Sequence, residues 1–136
     1  MADAIELVTS FCEAMSKRDP DALRPYLAPG VVYQNTGMQA QKGVENVLAD
    51  LAGQFSMFPD TYEYKTENIA ANGNVVLTER VDMINGFDGS LHGVPVMGTF
   101  VVEAGLIIRW TDYFDTGLIA KMLSGEDYTG LVPESA

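Results

Sequence analysis

Three charged residues on two strand-like segments have the types and spacing for acid–base chemistry. Arg80 and Asp82 stand two apart in the run Leu77-Thr78-Glu79-Arg80-Val81-Asp82, and Asp112 lies in Trp110-Thr111-Asp112-Tyr113-Phe114-Asp115. Side chains two apart on a strand share a face, so Arg80 and Asp82 point the same way. By the same parity Asp112 shares its face with Leu106, Ile108, Trp110 and Phe114. A carboxylate among large apolar side chains is costly unless it has a partner. Arg80 suits that role, because a planar guanidinium offers enough donors to hold two carboxylates. Two carboxylates held close together tend to share one proton, so one is an acid while the other is a base. Such a pair can push and pull protons on a bound molecule.

Each of these residues also has a plainer reading. Arg80 and Asp82, two apart on a strand, are more often a surface ion pair than a site, and Asp112 could end a strand facing water. Tyr33 and Asn35, which share a face of an earlier strand, by themselves give it only a polar end. Asp115 is a rival carboxylate of opposite parity to Asp112, placed to cap the last helix. His92, in a glycine-rich loop, reads as solvent-facing. Cys12 and the scattered methionines Met15, Met57, Met83, Met97 and Met122 read as packing.

The elements that must position these residues follow from the hydrophobic pattern. Ile5, Val8, Phe11, Cys12 and Met15 recur at helical spacing and predict a helix over residues 3–18. Asp19-Pro20 starts a short second helix through Leu27, which Pro29-Gly30 ends. Val31 to Asn35 predicts a strand. Val44, Val47, Leu48, Leu51 and Phe55 predict a third helix over residues 43–56. Strands are then expected at 62–70, 75–84, 94–103 and 106–115, with turns at Asn72-Gly73 and Ala104-Gly105. Gly86 to Gly93 reads as a loop, and a short helix at about 117–123 precedes an acidic tail over 124–136. Helices first and a four-strand meander after them predict an α+β fold rather than alternating βαβ units. A curved sheet with helices over one face leaves a pocket between the layers.

Length and composition narrow the class. The 136 residues argue for one domain over 1–136, and 47% hydrophobic with 20% charged residues is ordinary globular usage. Nineteen acids against eight Lys and Arg give a net charge of −11, which repels nucleic-acid phosphates and anionic membranes. A neutral or apolar small molecule is the expected ligand. One cysteine excludes an internal disulfide and fits a reducing, cytoplasmic setting. One histidine and one cysteine argue against a transition-metal site. The opening Met-Ala-Asp-Ala-Ile-Glu has no basic stretch or long apolar run, so neither a signal peptide nor a membrane span is expected. There is no Gly-x-Ser-x-Gly elbow, phosphate-binding loop or dinucleotide fingerprint.

Tyr33-Gln34-Asn35, Glu79-Arg80-Val81-Asp82 and Trp110-Thr111-Asp112-Tyr113-Phe114-Asp115 together resemble the motif segments of the limonene-1,2-epoxide hydrolase family, in the same order and at similar spacing. The resemblance spans about residues 3–123. It implies the fold of nuclear transport factor 2 and ketosteroid isomerase, a curved mixed, mostly antiparallel sheet wrapped by helices around a deep pocket, and a homodimer. It also implies roles. Asp112 would be the base that deprotonates water, which Tyr33 and Asn35 hold. Asp82 would be the acid toward the epoxide oxygen, and Arg80 would bridge the two carboxylates. The expected reaction needs no cofactor or metal; its partners are water and a small apolar epoxide. Residues 52–61 and 85–97 show little likeness, so the substrate stays open. The alternatives are an epoxide-opening cyclase with a hydroxyl nucleophile in the substrate, an isomerase-like proton shuttle, which an Arg between two Asp serves badly, and a non-catalytic small-ligand module.

Overall fold

The computed structural model describes residues 3–134. Helix α1 (Ala4–Ala14) is capped by Asp3, whose side chain accepts from the Glu6 amide, and runs into a 3-10 turn over Met15–Lys17. Helix α2 (Pro20–Leu23) has Asp19 as its cap and Pro at its first position, followed by a 3-10 turn over Arg24–Tyr26. Strands β1 (Leu27–Asn35) and β2 (Gln41–Lys42) come next, then helix α3 (Val44–Met57). The meander is β3 (Tyr62–Asn72), β4 (Val75–Asn85), β5 (Leu91–Glu103) and β6 (Leu106–Tyr113), and helix α4 (Thr116–Ser124) follows, capped by Asp115 as expected.

All six strands form one sheet in the order β2-β1-β6-β5-β4-β3. The meander is antiparallel, but β1 runs parallel to β6. The fold is therefore the expected α+β one, a mixed sheet with α1 against β3 and β4, α3 against β1 and α4 against β5. Val8, Phe11, Leu23, Val31, Leu51 and Trp110 are fully buried between the layers. Trp110 is the centre of that core, stacked on Tyr33 (centroids 3.9 Å apart) and Phe100 (5.9 Å), with Phe11 edge-on at 5.0 Å.

The structure departs from the sequence pattern in identifiable places. Pro29-Gly30 lies inside β1 rather than ending a helix. It falls in the stretch between Leu27 and Val32 where the β1–β6 register shifts, so the missing proline N–H breaks no regular ladder. The two-residue β2 is too short to show a period. The first hairpin turns on Gly73-Asn74, one residue later than expected, with Asn72 and Val75 as the closing pair and Gly73 at φ +61°. β5 begins at Leu91, so three residues of the expected loop are strand. Parity on β6 fails at its start: Ile107, not Leu106 or Ile108, is fully buried. The cause is a bulge, since Val102 pairs with Ile107 and Val101 with Arg109, which leaves Ile108 as the extra residue. Beyond it the parity recovers, and Trp110 and Asp112 face inward.

His92 is a correction too. It is buried, with Nε2 against Ser90 Oγ at 2.8 Å and Nδ1 against the Tyr128 hydroxyl at 2.7 Å. Tyr128 of the tail folds back over β5 and covers it. Met15, Met122 and Cys12 are core residues as expected, whereas Met57 and Met97 are exposed.

Candidate active site

Strand register brings the sequence candidates together. Across β1 and β6, Tyr33 is the neighbour of Trp110 and Asn35 the neighbour of Asp112. Across β6, β5 and β4, Asp112 lies beside Gly98, and Gly98 beside Thr78. Arg80 is the next inward residue on β4. It must therefore reach over β5 to meet Asp112, a span of two strand spacings, roughly 9–10 Å. Gly98 leaves the lane open. A Cβ there would collide with Arg80 Nη1 and would lie 2.7 Å from Asp112 Oδ1.

Arg80, 1% exposed, fills that lane and holds both carboxylates. It donates to Asp112 through Nη1 (3.1 Å to Oδ1) and Nη2 (3.0 Å to Oδ2). It donates to Asp82 through Nε (3.0 Å to Oδ1) and Nη2 (2.9 Å to Oδ2). Its remaining support is Thr78 Oγ1 at 3.4 Å and the Tyr64 ring, 4.1 Å below the guanidinium. Asp112 accepts a third bond, from Trp110 Nε1 at 2.9 Å. The costly carboxylate of the sequence pattern is thus satisfied, by the arginine and by its own aromatic neighbour.

Burial pushes the Asp82 carboxyl up to about 6, against the pull of the adjacent Arg80 and with the repulsion of Asp112 adding to the rise. Burial opposes the charge of Arg80, but Asp112 and Asp82 outweigh it and hold its pKa well above the ordinary value. The guanidinium stays charged, and with one proton on the carboxylate pair the trio is neutral. Asp82 receives two N–H donors and Asp112 three.

Asp82 and Asp112 open onto a cavity of about 320 Å³ that Tyr33 and Asn35 also line. The Tyr33 hydroxyl donates to Asn35 Oδ1 at 3.1 Å and accepts from Gln54 Nε2 at 3.2 Å. Burial keeps the phenols of Tyr33 and Tyr64 well above their usual range, so both stay neutral. Burial likewise pushes the Cys12 thiol up to about 12, which makes it inert. The apolar wall comes from Ile84, Val94, Val96, Phe114, Ile119 and Leu123. Val94 and Val96 belong to the stretch 85–97, which shows little family likeness in sequence.

All five sequence candidates therefore meet at one site. Gly98, Thr78, Tyr64 and Gln54 were missed. A glycine inside a strand is a signal of close approach, and Gly98 carried it; the other three have no local signature.

Wrapped around a pocket lined by a carboxylate–guanidinium–carboxylate trio, this curved mixed sheet defines a nuclear-transport-factor-2-like fold. A model of the limonene-1,2-epoxide hydrolase catalytic domain matches residues 2–125, and the chain belongs to that family. Epoxide hydrolase EphG of Mycobacterium tuberculosis (strain ATCC 25618 / H37Rv) is 33% identical over 112 residues, covering 79% of this chain and 70% of the relative. A solved M. tuberculosis LEH-like epoxide hydrolase is 31% identical with a TM-score of 0.75 over 90% of each chain. A structure from Jannaschia sp. CCS1 described as a SnoaL-like polyketide cyclase has a TM-score of 0.79 at 21% identity, covering 91% of this chain and 93% of its own, and shares the fold. The protein is an enzyme of the limonene-1,2-epoxide hydrolase type.

Proposed function

We propose that the enzyme adds water to a small cyclic or terpene-like epoxide in one step, giving a vicinal diol. Asp112 takes a proton from a water held by Tyr33 and Asn35. The water oxygen attacks an epoxide carbon, the carbon–oxygen bond of the ring breaks, and the ring oxygen takes the proton of Asp82. The proton gained by Asp112 then returns to Asp82 within the Arg80-bridged pair. Positioning and paired proton transfer suffice because the three-membered ring is strained and the reactants are held in place. The observation that carries this reading is the double bridge from Arg80 to Asp82 and Asp112 at the floor of a cavity that Tyr33 and Asn35 share.

Turnover of cyclic and terpene epoxides in ¹⁸O-labelled water tests it. The expected product is a diol with one labelled oxygen. An unlabelled cyclic ether would instead identify a substrate hydroxyl as the nucleophile and the enzyme as a cyclase. A working homodimer completes the reading. Its support is the outer face of the sheet, where Leu77, Met97 and Tyr113 are about half exposed and Met97 pairs directly with Tyr113. A cytoplasmic setting is consistent with the lone buried thiol and with the lack, among the described residues, of a helix long and apolar enough to cross a membrane.

A further inference from the structure

The cavity has a second polar feature that the proton transfers do not use. Asp50 and Gln54, one turn apart on α3, both line it. The Gln54 amide is fully engaged. Its Nε2 donates to Asp50 Oδ2 at 2.8 Å and to the Tyr33 hydroxyl at 3.2 Å, while Oε1 accepts from Tyr62. Gln54 therefore fixes the Asp50 carboxylate by one oxygen. The other, Oδ1, has no hydrogen-bond partner among the described residues. Asp50 also borders an adjoining recess of about 240 Å³, with Gln39 and Gln41 at its rim and Tyr33 and Asn35 shared with the main cavity. Val94, Val96, Ile119 and Leu123 give the main cavity an apolar lining.

A fixed acceptor on a cavity wall favours a ligand that brings a donor, because an unmatched polar group there loses hydration without return. The net charge of −11 adds to that preference for donors and cations over anions. We infer that Asp50 is a specificity-determining residue that receives a hydrogen-bond-donating arm, a hydroxyl or an ammonium, on the epoxide substrate. The substrate is then amphipathic, with its hydrocarbon body against α4 and β5 and its arm in the recess beside α3. This inference rests on the hydrolase reading and names its substrate class.

The test uses cyclohexene oxide carrying a methyl, a hydroxymethyl or an aminomethyl group. Wild-type kcat/KM is expected to favour the donor-bearing epoxides over the methyl one by about tenfold, the scale of one charge-assisted hydrogen bond. Asp50→Leu should bring both ratios to about one. Asp50→Asn, a near-isosteric change, should keep most of the hydroxymethyl preference and lose that for aminomethyl, which separates a hydroxyl from an ammonium as the recognised group. Ratios at or below one in the wild type, or ratios unchanged in Asp50→Leu of native melting temperature, would overturn the inference. If no epoxide is converted, the hydrolase reading fails by itself. The subsite is then decided by calorimetric Kd values of hydroxymethyl- and methylcyclohexane, where equal affinity refutes it.

Discussion

Asp112 and Asp82 are chemically identical side chains bound to the same guanidinium, and their surroundings set them apart. Asp112 has the indole N–H of Trp110 as an extra donor. Replacing Asp112 by Asn removes the proposed base and should lower kcat by at least ~10², with the fold intact by circular dichroism. Near-normal turnover would move the base elsewhere. The pH dependence follows from the sign of the Asp82 shift. Its carboxyl, pushed up to about 6, is protonated below that pH and able to donate, and loses the proton above it. The kcat/KM profile, which reports the free enzyme, should therefore decline on the alkaline side of about pH 6, and Asp82→Asn should abolish that limb along with most of the activity. At this scale the sequence was legible through parity. Arg80 and Asp82 share a face because of strand geometry alone, and the cost of burying Asp112 required a partner. The Trp110 donor was not legible, since adjacency on a face does not fix a side-chain rotamer.

At the scale of elements, the trio depends on three strands and one absent side chain. β4 supplies Arg80 and Asp82, β6 supplies Asp112, and β5 lies between them with Gly98 at the crossing point. Gly98→Ala should push the guanidinium off Asp112. The expected result is a loss of kcat comparable to that of Asp112→Asn and about 1–3 kcal/mol of stability from overpacking, read by chemical denaturation. A wild-type rate in that variant would show that Arg80 need not cross β5. The bulge at Ile108 matters for the same reason. Without it, the parity that buries Ile107 would turn Trp110 and Asp112 outward. The helices were readable from their period and caps, and the meander from alternation and turn residues. The β1–β6 pairing was not. It joins segments nearly 80 residues apart in parallel, and no local pattern announces which strand a lone β1 will join.

For the whole molecule, the polar outer surface expected of a chain with net charge −11 is interrupted on the outer face of the sheet. Sedimentation should give a mass twice the 14.8 kDa of one chain. Met97→Glu with Tyr113→Glu, which places charge beside Glu79 on that face, should shift it to the monomer. A monomeric wild type would remove the dimer from the proposal. The cavity itself is a property at this scale, because its walls come from α3, α4 and five strands of the sheet. What the sequence by itself determined is what covalent geometry and solvent preference make local: the elements, their inward faces and the residue types able to exchange protons. Only the tertiary structure decided that Asn35 stands beside Asp112, that Gly98 lets Arg80 cross a strand, that His92 is buried under Tyr128, and that Asp50 faces the cavity. Those depend on which distant segments pack together and on how much room they leave, and neither is encoded in the period of any one element.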